Sequence, residues 1–261
     1  MSKLGQEILG RGEYAWFLLE RIEDGLMEFA DIIQLRDDPP HNHLEVFSRR
    51  IALKLYEVGT VAEGLFKEIL EENLLDQSKN VDLKCLEKAR RREFPFPDIR
   101  DFKNVLEPAF HLSRRSVAFR YFAFTKTLKP FSSFAATEGI SPLWWDSYNE
   151  VKHDFFRNID KVTLGRLVEG ASAVFLLTVL CRAYWPALIL NNRIAMVQRV
   201  GSTYRTAVSQ ELVYQKLHEA FFDERAADSI TLPYDIVSNS RLFFAPLAVF
   251  SSNSGTYEIP Q

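Results

Sequence analysis

The sequence PLWWDSYNEVKHDFFRN, residues 142–158, combines an unusual density of aromatic side chains with the chain's best candidates for chemistry. Read at 3.6 residues per turn, it predicts a helix with two adjacent stripes, made up of Trp145, Asn149, His153 and Phe156 and of Trp144, Tyr148, Val151 and Phe155. Two such stripes side by side indicate a helix that is buried over much of its girth. We therefore expect Asn149, Lys152 and His153 at the margin of a core or in a crevice.

The residues on either side set the limits of this helix. Ser141 followed by Pro142 predicts an N-cap with proline at the first helical position. Thr163 is expected to cap a second, apolar helix that runs to about Leu190. Its most apolar part, residues 171–190, contains Arg182 and Pro186, which favours a buried core helix over a membrane span.

Helical periodicity extends over much of the remaining chain. It predicts helices over residues 13–35, 44–75, 99–112 and 210–227, with Asp98 as the N-cap of the third. The sequence DDPPHNH ends the first, because proline lacks an amide and disfavours helical geometry in the residue before it. Gly59 and Gly64 in the second allow a close helix contact or a bend.

Two segments depart from this pattern. The alternation over residues 117–124 is compatible with a short strand, a β-ribbon or an aromatic-rich linker. The last stretch, ITLPYDIVSNSRLFFAPLAVFSSNSGTYEIPQ, has isolated apolar islands and predicts an irregular tail that adds short strands or lies along a groove.

Composition narrows the class of protein. The chain of 261 residues fits one large domain with additions, and a net charge of −3 argues against binding of nucleic acid through overall charge alone. Cys85 and Cys181 lie in unrelated segments without metal-binding spacing, which predicts free thiols in a reducing compartment. The N-terminus lacks the order of a signal peptide, so we expect a cytoplasmic protein that contacts no membrane.

Several polar clusters have a structural interpretation that outweighs the functional one. The basic run KARRRE, residues 88–93, is expected to be a solvated connecting segment and not a patch that contacts phosphate. Glu150 and Asp154 are expected on a solvated surface and not in a metal site. His41 and His43 are expected in a loop turn and not as metal ligands. Phosphate loops, nucleophile elbows and zinc-finger spacings are absent, so no metal or cofactor is predicted.

The string WWDSYNEVKHD, followed by a Thr-capped apolar helix, resembles the signature of bacterial HEPN-like (higher eukaryote and prokaryote nucleotide-binding) proteins. The matching positions are Trp144, Trp145, Tyr148, Asn149, Lys152, His153 and Asp154. The resemblance implies an all-α, up-and-down helical bundle over residues 43–190, often as a homodimer. Residues 1–42 would then form an N-terminal helix and linker, and residues 191–261 a C-terminal extension with one helix and an irregular tail.

The HEPN-like group includes metal-independent ribonucleases of toxin and antiviral systems, which use an Arg, a polar residue and, after three intervening residues, a His. Aligned on His153, the polar residue is Asn149 and Tyr148 occupies the Arg position. His153 would act as general acid or base and Asn149 would orient it. The missing positive charge would have to come from Lys152 or Arg157. The alternative is a structural role, in which His153 lies on the side of its helix and is hydrogen-bonded to a neighbouring residue.

The absence of the Arg favours a non-catalytic module that binds a nucleotide, nucleic acid or protein partner through the same crevice. Tyr148, Trp145 and Arg157 are then the candidate ligand contacts, although the tryptophans are expected mainly to pack. The alternative is a metal-independent endoribonuclease of a toxin–antitoxin or antiviral defence system, with His153, Asn149 and Lys152 as catalytic residues.

Overall fold

The computed structural model describes residues 3–33, 35–36, 42–71, 75, 81–91, 98–122, 124–136, 141–191, 193–200, 203–206, 234–238 and 240–244. Most of these residues are helical. The helices are α1 (Lys3–Ile33), α2 (Arg49–Leu70), α3 (Leu83–Arg91), α4 (Ile99–Phe110), α5 (Leu143–His153), α6 (Leu164–Leu180) and α7 (Trp185–Leu190). The predicted helical character is therefore confirmed.

The fold is mainly helical, and two small antiparallel sheets accompany the helices. Their strands are β1 (Val117–Tyr121), β2 (Phe124–Leu128), β3 (Ile194–Val200), β4 (Thr203–Thr206), β5 (Tyr234–Ser238) and β6 (Phe243–Phe244). One sheet has the order β2-β1-β6 and the other β4-β3-β5. Of the three alternatives for residues 117–124, the structure has the β-ribbon: β1 pairs with β2 after a turn at Phe122, a residue with a φ of 48°. The short strands expected in the tail are β5 and β6, whereas the helix predicted over residues 210–227 lies outside the described residues.

The core is built on the pairing of α6 with α2, and α5 packs against both helices. From Gly170 to Leu180 every residue of α6 is buried, as its apolar sequence requires. Gly170 lets the two helices approach closely, since a Cβ there would lie 3.0 Å from the Val58 Cγ1 atom. Helix α1 packs against α6 and α7 and contributes Trp16 to the same core.

Of the three N-cap residues predicted, two are correct and one is wrong. Asp98 forms a capping box with Asp101 at the start of α4, and the Thr163 hydroxyl accepts a hydrogen bond from the Arg166 amide at the start of α6. Ser141 is not the N-cap of α5. Pro142 is extended, with a ψ of 137°, and takes that position, while the Ser141 hydroxyl donates to the Asp146 carboxylate.

The apolar segment predicted as one helix from Thr163 to about Leu190 is broken. Helix α6 ends at Leu180, a single 3-10 turn spans Arg182–Tyr184, and the part after the break is bent by 68° from α6. The Trp185 indole fastens the break by donating to the Val179 carbonyl at 2.7 Å. In the described part of the chain no single helix is long and apolar enough to cross a membrane, and only the two bent parts taken together reach that length.

Helix α2 is shorter than the helix predicted over residues 44–75. A 3-10 turn, His43–Glu45, precedes it, and Phe47 forms an isolated bridge with Thr163. Helix α3 contains most of the basic run. There Lys88 pairs with Asp101 at 2.8 Å and Arg90 donates to the Leu70 carbonyl, contacts that tie α3 to its neighbours. Both cysteines are free thiols, as predicted.

A buried carboxylate on α1 fastens the last described segment. The Glu23 side chain is fully buried and accepts hydrogen bonds from the Ser240 hydroxyl and, at 2.9 Å, from the Leu242 amide. Phe243 follows and packs against the ring of Phe119 at 5.6 Å. Burial raises the pKa of Glu23, an effect that these hydrogen bonds and the charge of Arg241 reduce without cancelling.

Candidate functional site

Helix α5 is held in place by its aromatic residues. Trp144 is fully buried and its indole donates to the Pro130 carbonyl at 2.9 Å. Trp145 packs edge-on against Phe66 with 5.7 Å between ring centres. These two tryptophans therefore pack in the core, although one side of Trp145 also lines a cavity described below.

Tyr148 joins α5 to α2 through an unusually close contact. A Cβ on Gly59 would lie only 2.2 Å from the Tyr148 Cδ2 atom, so the ring occupies the space that a side chain would fill. One helical turn later on α2, Glu63 accepts a hydrogen bond from the Tyr148 hydroxyl at 3.1 Å. The close helix contact that the glycines allow thus occurs at Gly59, and it places Glu63 beside α5.

Lys152 completes this contact. Its Nζ atom lies 2.6 Å from the Glu63 Oε1 atom and 5.2 Å from the centre of the Tyr148 ring. Partial burial lowers the pKa of Lys152, but the hydrogen bonds and charge of Glu63 and Tyr148 outweigh it and leave the pKa raised. Burial raises the pKa of Tyr148, more than its hydrogen bonds lower it. At neutral pH Lys152 is therefore an ammonium and Tyr148 a neutral phenol.

A cavity of about 340 Å³ opens beside Glu63, Tyr148 and Lys152, between α2, the start of α4 and α5. Its lining consists of Glu63, Asp98, Ile99, Arg100, Ser141, Trp145, Asn149 and Lys152. Three of the predicted site residues, Trp145, Asn149 and Lys152, are thus brought together in one concave surface. Tyr148 stands behind it, in contact with Lys152.

The charges in the cavity differ in how far they are already satisfied. Asp98 accepts hydrogen bonds from the amides of Arg100 and Asp101, and Glu63 is paired with Lys152. By contrast, the guanidinium of Arg100 and the half-buried amide of Asn149 have no hydrogen-bond or ion-pair partner among the residues that the structure describes. The cavity therefore offers a bound molecule one unpaired cation and one unpaired amide.

His153 and Arg157 lie elsewhere. His153 is the last residue of α5, is exposed and does not line the cavity. Arg157 is 86% exposed and pairs with Asp154 at 3.4 Å, beside an exposed Phe156. Within one chain, the candidate general acid or base is thus separated from the surface that holds Asn149 and Lys152.

The acidic pair is placed as a solvated surface would place it. Glu150 pairs with Lys161 at 3.2 Å, and Asp154 pairs with Arg157. His43 lies on a 3-10 turn, and His41 is outside the described residues. Within the described ranges, no group of three or more His, Cys, Asp or Glu residues could hold a metal ion.

Five of the eight residues that line the cavity were not predicted as site residues, most importantly Glu63 and Arg100. One signal for Arg100 was present: it lies in the first turn of α4, where the helix dipole disfavours a cation. Glu63 shares a face of α2 with Gly59, four residues earlier, but nothing in the local sequence identifies that face as the one opposite α5.

The resemblance to HEPN-like proteins rests on α5 and on the start of α6. Both helices begin close to the predicted positions, but both end early: α5 ends at His153, before Phe155 and Phe156, and α6 ends at Leu180. Trp144, Trp145 and Tyr148 of α5 are buried as predicted, whereas Phe156 is exposed. Comparison with protein-family models, with curated proteins and with solved structures finds no match to the chain.

Proposed function

We propose that this protein is a non-catalytic HEPN-like module that binds a nucleotide in the cavity between α2, α4 and α5. The observation that carries the proposal is the pair of unpartnered polar groups, Arg100 and Asn149, on the wall of that cavity. A guanidinium suits a phosphate, and a carboxamide can both donate to and accept from the edge of a base. The volume of about 340 Å³ lies within the range of small-molecule sites.

A binding function is favoured over catalysis because the catalytic groups are not assembled within the chain. Tyr148 stands where the related nucleases have Arg, and it is buried against Gly59. Lys152, the substitute cation, is already neutralised by Glu63. A concave, polar cavity also favours a small ligand over the flat face of a protein partner.

Binding can be tested by titration calorimetry of the full-length protein with adenosine monophosphate. We expect Arg100→Gln to weaken binding by about tenfold or more, because a charge-assisted hydrogen bond is lost. Arg49→Gln is the matched control, since Arg49 also lies in the first turn of a helix, is exposed and is outside the cavity. Equal affinity in the two variants would contradict the proposal.

The second candidate function is the metal-independent endoribonuclease of a toxin or antiviral system. It is supported by the exposure of His153, with Phe156 80% exposed and Arg157 close by on the chain. A second copy that faced this surface, as in a homodimer, would bring two histidines near a shared RNA strand. Incubation of wild type and His153→Ala with a mixed RNA pool tests this: cleavage by both proteins alike, or by neither, removes the catalytic proposal.

A further inference from the structure

The Lys152–Glu63 ion pair forms part of the cavity wall. Glu63 Oε1 has two donors, the Lys152 ammonium at 2.6 Å and the Tyr148 hydroxyl at 3.1 Å. If Lys152 turned towards a ligand, Glu63 would keep one donor and would not be left as an unpaired charge. The Lys152 side chain is 38% exposed, so its ammonium has room to move.

We propose that Lys152 pairs with Glu63 in the free protein and turns to a doubly charged phosphate when one binds. The cavity would then select a phosphomonoester over singly charged and neutral ligands. This inference rests on the proposed nucleotide function and names the chemical class of the ligand. A phosphomonoester carries close to two negative charges at neutral pH, whereas a phosphodiester carries one. Selection thus depends on charge at the phosphate and not on the base.

The charge balance of the cavity explains the selection. Glu63 and Asp98 offset Arg100 and Lys152, so the lining has no net formal charge. A singly charged phosphate is satisfied by Arg100 alone, and it has too little charge to draw Lys152 away from an equally charged carboxylate. A dianion can pair with both cations at once, while the Tyr148 hydroxyl continues to donate to Glu63. Only the dianion therefore gains the second charge-assisted contact.

The prediction for the wild-type protein is a ranking of three ligands that share one base. Adenosine monophosphate should bind about tenfold or more tightly than cyclic adenosine monophosphate, which is a monoanionic diester, because one charge-assisted contact separates them. Adenosine should bind most weakly. The preference for the monoester should fade as the pH falls below about 6, because the dianion then takes up one proton and becomes a monoanion. The charge of the diester does not change in this range.

A double variant isolates the ion pair without altering the net charge of the protein. Glu63→Gln together with Lys152→Met removes one negative and one positive charge and leaves Arg100 in place. We expect this variant to lose the preference, so that its affinities for the monoester and the diester converge. Glu63→Gln alone should tighten binding of the monoester more than binding of the diester or of adenosine, because Lys152 is then free. Circular dichroism and urea unfolding check that each variant is folded.

The outcomes separate this inference from the function on which it rests. If the wild type binds none of the three ligands, the nucleotide proposal fails and this inference fails with it. If it binds them but the double variant retains the preference for the monoester, or if wild type shows no preference, the role of Lys152 and Glu63 is refuted and nucleotide binding stands.

Discussion

Replacing Gly59 by alanine should destabilise the protein although alanine is the better helix former. The added Cβ would lie 2.2 Å, 2.3 Å and 2.5 Å from three atoms of the Tyr148 ring. Carbon atoms in contact normally keep about 3.5–4.0 Å apart, so the ring must move by more than an ångström. It has little room, because Tyr148 is 1% exposed and lies between Trp145 and Tyr56, at 5.4 Å and 5.9 Å between ring centres.

The size of the effect follows from three contributions. Overpacking of a core costs about 1–3 kcal/mol, and an overlap this severe belongs near the upper end. Displacing the ring also breaks the hydrogen bond from Tyr148 to Glu63, a loss of about 1 kcal/mol. The helix preference of alanine over glycine returns about 1 kcal/mol. We therefore expect Gly59→Ala to lower the free energy of unfolding by about 2–3 kcal/mol.

Gly64→Ala provides a matched control on the same helix. A Cβ on Gly64 would meet nothing within 4 Å, so only the helix preference acts, and the variant should gain about 0.5–1 kcal/mol. Urea unfolding followed by circular dichroism measures both variants. A Gly59→Ala protein as stable as Gly64→Ala would show that Tyr148 is not held against α2, and the description of the cavity wall would be wrong.

Three other variants test the remaining contacts. Thr163→Ala removes the side-chain cap of α6 and should lower the free energy of unfolding by about 1 kcal/mol, measured by urea unfolding. Trp144→Phe leaves the buried Pro130 carbonyl without its donor and should lower it by about 1–3 kcal/mol in the same assay. Burial raises the pKa of Glu23 above 4.5, so the folded protein binds the carboxyl proton more tightly than the unfolded chain does. Binding of this proton stabilises the fold at low pH, and the stabilisation is lost as the pH rises through the folded pKa. Glu23→Gln cannot ionise, so its stability relative to wild type should rise as the pH is raised above 4.5. A difference between the two proteins that stays constant with pH would refute a raised pKa.

Local signals in the sequence were sufficient where the structure is determined locally. Asp98 and Thr163 were predicted as caps because a short polar side chain that precedes a periodic apolar segment satisfies the first amides of a helix. The same reasoning failed at Ser141, since proline can serve as the last extended residue as well as the first helical one.

Features set by contacts between distant segments could not be predicted from a local pattern. The break after Leu180 is different, because Pro186 just beyond it lacks the amide that would continue the helix and was a local signal for a break. Strand β6 is two residues long and is fastened by a glutamate more than two hundred positions earlier. Period-two alternation in so short a segment carries no usable signal.

The candidate site shows why a helix that is correctly identified can still be misread. Spacing along α5 places Asn149, Lys152 and His153 within four residues of one another, and this proximity suggested one catalytic group. Their neighbours in the cavity come from α2 and α4: Glu63 pairs with Lys152, and Arg100 adds a second cation to the lining. His153 is the last residue of α5, is exposed and does not line the cavity. A motif on one helix therefore predicts which residues of that helix lie close together. The charge that a ligand meets also depends on the residues of the helices opposite.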